Sequence, residues 1–427
     1  MDFLNHLKTY LSEEEIKELD ASLKEKDRHA LLLNTEKMKE ETLLSLYPSL
    51  KRHPIVKNGF IYDKDELDLG KSIYHELGCF YLQEPSAMVP AFLLNPTAND
   101  IVLDLCAAPG GKSMQASLLM GNKGLIIAND IAKSRAFAIS ENAERLGRGN
   151  LLITNNDFSL IYKDHLNYFD KIILDAPCSG SGMFRKESKM MEDWSYQKVL
   201  KCAYIQKELI ILAYQMLKPG GTMVYSTCSL SYEEDEEVVD YLLNNSDATV
   251  VEIKNNPLFY VNKKNPKGIH LLPFIFPGEG HYITLLSKPG TMVKKVHKEN
   301  NTRSPYASIK SPYGYFKKYG DYLYTMSEDI NIKHLNIIRY GVKVGEIIKD
   351  DIRYDYHYAH FINDFSPTYE LNDTELAKYY MGESINANIA KGYVLLKYQG
   401  VNVDITKSDG RIIKNHLPKG LRKKLVL

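Results

Sequence analysis

The chain has 427 residues, 54 Lys plus Arg balanced by 54 Asp plus Glu, and 44% hydrophobic residues, an ordinary globular composition with room for two or three domains. Zero formal net charge gives no global field for a polyanion, so any nucleic-acid contact must rest on local charge. Apolar runs are too short to span a bilayer, and MDFLNHLKTYLSEEEIKELD lacks the apolar core of a signal peptide, so a cytoplasmic protein without a membrane partner is expected.

In chain order, residues 1–75 read as a small α/β flanking domain, mainly helical. LSEEEIKELDASL places Ser12 before a run of glutamates, an N-terminal cap signature. Residues 30–48, ALLLNTEKMKEETLLSLYP, read as a short strand and then a helix that stops at Pro48. Residues 76–287 form the next unit. Here apolar strands at 101–105, 124–130, 150–154, 170–176 and 221–227 alternate with amphipathic helices, one ending at Gly147 and a long one stopping at Pro219-Gly220. Segments 249–253 and 281–287 are closing strands. This alternation predicts an α/β fold with a doubly wound parallel sheet.

Residues 288–340 read as a linker and connecting segment. It includes the basic run Lys288–Arg303 and the tyrosine-rich SPYASIKSPYGYFKKYGDYLYTM. These tyrosines fit either the packing of a small β core, the preferred reading, or stacking on unpaired bases. Residues 341–427 read as a small mixed α+β domain with a second basic stretch, Lys414–Lys424. Each basic run fits an RNA contact or a solvated surface equally well.

The loop DLCAAPGGKS joins the first strand of the alternating region to its helix. In a doubly wound sheet that crevice is where ligands bind, and the helix N-terminus offers free N–H groups. A phosphate-binding P-loop would need glycine where Cys106 stands, and no G-x-G-x-x-G is present. Asp130, Asp157 and Asp175 each end or follow a later strand, where they suit hydrogen bonding to a nucleoside or capping of the next helix. Acids after successive strands favour a nucleoside cofactor.

Five cysteines lack C-x-x-C spacing and partner histidines, so neither a disulfide framework nor a metal site is expected. Cys79 and Cys202 read as inert hydrophobes. Cys178, in ILDAPCSGSGMFRKE, and Cys228, in VYSTCSLSYEEDEE, follow neighbouring strands and should reach one mouth. A thiol there suits methylation of cytosine at carbon 5. A thiolate adding to carbon 6 turns carbon 5 into an enamine carbon that can attack a sulfonium methyl. The thiolate is the active species, and the helix after Cys228 offers an N-terminus to favour it. Asp175 can hydrogen-bond the cytosine at N3 or N4. After transfer, a base must remove the carbon 5 proton. Which cysteine attacks is not decided by these arguments.

CAAPGGK (106–112), Asp130, Asp157, DAPCSGSG (175–182) and STCS (226–229), preceded by QEPSAM (83–88), resemble the Sun/RsmF family of RNA 5-methylcytosine methyltransferases. GEGHYI (278–283) and PKGLR (418–422) are most similar to its bacterial RsmF branch, which acts on 16S ribosomal RNA of the small subunit. The resemblance implies a Rossmann-like methyltransferase sheet and a C-terminal PUA-like RNA-binding domain. It implies that S-adenosyl-L-methionine is held by Cys106, Ala107, Ala108, Pro109, Gly110, Gly111 and Lys112 with Asp130, Asp157 and Asp175. It also implies Cys228 as nucleophile and Cys178 as the residue assisting product release. The target base must leave its stack, and Arg185 and Lys186 are candidate phosphate contacts. One departure is His270, where the family often has arginine. A non-enzymatic RNA-binding factor and a P-loop NTPase are the rival readings; the complete motif set disfavours the first and the missing glycine the second.

Overall fold

The computed structural model describes residues 3–186, 188–292, 309, 311, 313–328, 334–349, 351–362 and 364–425. Ser12 caps the helix Glu13–Leu23 as expected. Its hydroxyl accepts the Glu15 N–H at 3.3 Å, and the Glu15 carboxylate accepts the Ser12 N–H at 2.7 Å. The N-terminal region is otherwise less helical than its sequence predicts. Strands β1 (His29–Leu33), β2 (Lys51–Arg52), β3 (Gly59–Tyr62) and β4 (Phe80–Gln83) form an antiparallel sheet in the order β2-β3-β1-β4. The reason is burial on both faces: Ala30 and Leu32 pack toward the central domain, Leu31 and Leu33 toward the C-terminal one. Such a strand shows no polar alternation.

The central sheet starts with β5 (Ile101–Asp104), β6 (Leu125–Asn129), β7 (Leu151–Thr154), β8 (Phe169–Asp175) and β9 (Leu217–Thr227), all parallel, in the order β9-β8-β5-β6-β7. The long helix ends at Met216 and β9 begins at once, so Pro219-Gly220 lies inside the strand segment, not at a helix stop. Strands β10 (Thr249–Val251), β11 (Ile269–Leu271) and β12 (His281–Ser287) add antiparallel pairings beyond β9. The order reverses at β5, whose neighbours are β6 and β8. The crevice between the carboxyl ends of β5 and β8 is therefore the expected ligand position.

The stretch expected to be a linker carries structure. Strands β13 (Tyr315–Tyr319) and β14 (Tyr322–Met326) form a hairpin, and β15 (Ile337–Tyr340) pairs antiparallel with β7 as an edge of the central sheet. The edge strand is short and its partner lies far back in the sequence, which hides it from local pattern. Strands β16 (Val342–Ile348) and β17 (Asp351–Tyr354) complete the hairpin sheet. Among the tyrosines, Tyr313 is half-buried against the core, donating to the Asn122 carbonyl at 2.6 Å, while Tyr319 and Tyr322 are about 40% exposed. Residues 293–308, most of the first basic run, lie outside the described residues.

The last sheet comprises β18 (Thr368–Glu370), β19 (Ile385–Asn386), β20 (Gly392–Tyr398), β21 (Val401–Ser408) and β22 (Ile412–Ile413), in the order β18-β20-β21-β22-β19. Its Val394, Leu396 and Val403, with Tyr379 and Tyr380 of the helix Asp373–Tyr380, share one core with Leu31, Leu33, Phe60 and Phe80 of the first sheet. The two ends of the chain thus close on each other. Among the described residues, no helix is long and apolar enough to cross a membrane.

Candidate active site

A cavity of about 290 Å³ opens over the carboxyl ends of β5, β8 and β9. Its wall includes Tyr81, Gln83, Cys106, Ala107, Ala108, Pro109, Gly111, Lys112, Asp104, Asp175, Cys228, Lys186 and His281. The loop after β5 turns through Gly110, whose φ is 108°, a region closed to most side chains. Gly111 begins the helix Gly111–Leu119. A Cβ on Gly111 would stand 2.9 Å from Gln83 Nε2, so a larger residue there would have to push the Gln83 side chain aside. Glu84 fastens that segment: it accepts the Ser86, Ala87 and Glu279 N–H groups at 2.9, 2.8 and 2.7 Å.

Lys112 does not reach free into the cavity as a P-loop lysine would. Its Nζ pairs with Asp175 Oδ2 at 2.7 Å. Asp175 Oδ1 accepts the Ser226 hydroxyl at 2.8 Å. Burial alone would raise the Asp175 carboxyl, but the Lys112 charge and then His281 outweigh it and hold the group well below the usual range. Asp104 is the opposite case. Burial pushes it up to about 7 despite a 2.6 Å hydrogen bond from Ser113, and its Oδ1 has no partner.

Cys178 and Cys228 meet, as the strand order leads one to expect, with sulfurs 3.0 Å apart. Of the two, Cys228 is the one that lines the cavity. The hydrogen bond to Cys228, together with burial, raises the Cys178 thiol well above its ordinary value. The helix expected after Cys228 follows one short loop later, and Asp235 just before it accepts the Thr227 hydroxyl at 2.6 Å. That helix starts at Glu236, and Glu234 and Asp235 lie buried between. Glu234 is bound by Ser179, Ser229 and Gln206, so it braces both cysteine loops. Cys79 is pushed up to about 12 and Cys202 to about 11, burial being the main cause, which keeps both as thiols.

The remaining acids stand apart from the wall. Asp130 is buried just beyond β6, accepting the Ala132 N–H at 2.9 Å, with the Arg135 guanidinium 3.4 Å away. Asp157 is exposed and caps the helix Phe158–Ile161 through the Ser159 N–H at 3.0 Å. Arg185 corrects a sequence expectation. Its side chain is 1% exposed, paired with Glu279 at 2.9 Å and bonded to the Gly278 carbonyl, so it cannot serve as a phosphate contact. Lys186 is exposed at the cavity rim. His270 is likewise internal, bonded to Glu236 at 2.9 Å and stacked on Tyr10. Sequence reading missed His281, Gln83 and Ser226 as wall or brace residues. Two of these lie in motifs already noted, QEPSAM and GEGHYI, and Ser226 opens STCS.

Residues 91–287 match the family described as 16S rRNA methyltransferase RsmB/F, residues 1–85 the N-terminal domain of 16S rRNA methyltransferase RsmF, and residues 366–423 the methyltransferase RsmF PUA domain. Ribosomal RNA small subunit methyltransferase F of Vibrio parahaemolyticus is 32% identical over 436 residues, covering 92% of this chain and 91% of the relative. That of Shewanella piezotolerans is 31% identical, with coverage of 93% and 91%. A solved methyltransferase homolog from Pyrococcus horikoshii has a TM-score of 0.60 at 29% identity, covering 66% of this chain and 93% of that one. The chain belongs to the RsmF branch of the 16S rRNA methyltransferase RsmB/F family.

Proposed function

We propose that this protein transfers a methyl group from S-adenosylmethionine to carbon 5 of a cytosine in 16S ribosomal RNA, with Cys228 as nucleophile. The observation that carries this reading is the sulfur pair: Cys228 lines the cavity, and its sulfur stands 3.0 Å from that of Cys178. No other methyl acceptor calls for a thiolate as clearly as an electron-poor pyrimidine carbon.

The cavity fits the cofactor. Asp104 presents a buried, unpartnered oxygen, a natural acceptor for an amine, and the glycine turn lets a ligand approach the backbone. The loop 106–112 would hold the cofactor, with Asp130 and Asp157 receiving its ribose and adenine once their present contacts with Arg135 and Ser159 give way. The cofactor supplies an electrophilic methyl group. Cys228 adds to carbon 6, Asp175 accepts the N4 amine of the cytosine, and Cys178 assists removal of the carbon 5 proton and release of the product. Residues 1–75 and 341–427 flank this catalytic unit, the latter serving as an RNA grip.

The test uses labelled cofactor, the full-length protein, and 16S RNA or small subunits from a strain lacking the gene, with bisulfite sequencing of the product. Cys178→Ala is expected to accumulate a covalent RNA adduct, and Cys228→Ala to lose both adduct and turnover. Wild-type activity in Cys228→Ala would sink the reading.

A further inference from the structure

Asp175 leaves part of the proposed chemistry unserved. Its two oxygens already take Lys112 and Ser226 at 2.7 and 2.8 Å, and the lysine keeps it ionised. An ionised carboxylate only accepts hydrogen bonds, which suits the N4 amine of a cytosine. When a thiolate adds to carbon 6, the C5=C6 electron pair moves through C4 onto N3 and, by resonance, O2. That charge calls for a donor. Lys112 gives one of its three N–H donors to Asp175.

His281 is a second donor on the cavity wall, its Nε2 turned toward Asp175. β12 runs antiparallel to β9 with Tyr282 opposite Thr227, so the next step of the register sets His281 beside Cys228. Its side chain is 4% exposed, and it lines the same cavity as Cys228, Cys106 and Lys112. Nε2 stands 3.5 Å from Asp175 Oδ1 and has no hydrogen-bond partner. A buried nitrogen left unpaired is unfavourable, and a hydrogen-bond acceptor bound in the cavity would relieve it.

We propose that His281 is a further catalytic residue, donating a hydrogen bond from Nε2 to the N3/O2 edge of the target cytosine as Cys228 adds to carbon 6. The hydrogen bond moves no proton. The bond formed in this step is Cys228 Sγ–C6, the C5=C6 π bond is spent, and the charge it leaves is held by the imidazole N–H. The inference rests on the cytosine reading above.

The experiment compares full-length wild type, His281→Phe and His281→Gln in steady-state methylation, in calorimetric binding of S-adenosylmethionine, and in single-turnover adduct formation in the Cys178→Ala background. Removing one such donor typically costs about 10²–10³-fold in rate. His281→Phe is expected to lose that factor in kcat and in adduct formation, with cofactor affinity within about twofold of wild type. His281→Gln, which restores an N–H at a similar reach, is expected to recover at least about tenfold over phenylalanine. A phenylalanine variant with kcat within about threefold of wild type overturns the proposal. So does equal loss of cofactor binding and thermal stability in both variants, which would mark a packing role. Wild-type activity in Cys228→Ala, run alongside, would instead bring down the underlying reading.

Discussion

Cys178 and Cys228 hold their sulfurs 3.0 Å apart across the ends of β8 and β9. The contact raises the Cys178 thiol, and Cys228 faces the cavity. It also makes the pair easy to oxidise together. A thiol-specific two-electron oxidant such as diamide is expected to join them, itself being reduced to the hydrazine. Loss of two free thiols per chain should accompany loss of activity, with both restored by dithiothreitol. Thiol titration with tryptic mapping checks it; inactivation without a Cys178–Cys228 cross-link would contradict it.

Lys112 holds the Asp175 charge. In Lys112→Met the burial that favours the neutral acid is no longer outweighed, so the Asp175 carboxyl climbs. A group depressed in the folded state stabilises above its unfolded pKa and loses that contribution as pH falls through the folded value. Removing the lysine therefore moves the loss upward. Methylation by Lys112→Met is expected to fall by about 10²-fold or more, with the acidic limb of its pH profile shifted to higher pH. An unshifted limb would contradict the role.

Asp104 has the opposite sign. Burial raises it to about 7, so in the folded protein it binds a proton that the unfolded chain has already released. Its contribution is complete below the unfolded value, near 3.9, and is lost as pH rises through about 7. Asp104→Asn should raise Tm by a few degrees at pH 8 and far less at pH 5, while weakening cofactor binding. Thermal scans of the cofactor-free protein at both pH values test the difference.

Arg185 and Lys186 are neighbours with separate duties. Arg185→Ala leaves Glu279 buried without its cation, which costs about 3–5 kcal/mol of stability. Lys186→Ala should leave Tm within about one degree, because exposed charges contribute little. It should also raise the KM for RNA and flatten its salt dependence. Denaturation and salt-titrated kinetics on the two variants separate these outcomes.

Much of the site was legible because its motifs are local. The glycine turn, the strand-ending Asp175 and the two cysteine loops each lie within a few residues of a strand, and alternation of strand and helix puts those ends at one edge. What local pattern could not rank was the set of similar residues. Asp157 and Asp175 both follow strands, yet Asp157 caps a helix and Asp175 meets Lys112. Arg185 and Lys186 look alike as a basic pair until Glu279 buries one of them.

The sequence by itself determined the parallel sheet, the cofactor loop and the convergence of Cys178 with Cys228, since these follow from backbone periodicity and strand order. Only the tertiary structure decided which cysteine opens to the cavity, that His281 stands beside it, that β15 edges the central sheet, and that the first and last sheets share a core. Each of those depends on partners far apart in the chain, brought together by the burial of faces that no local pattern names.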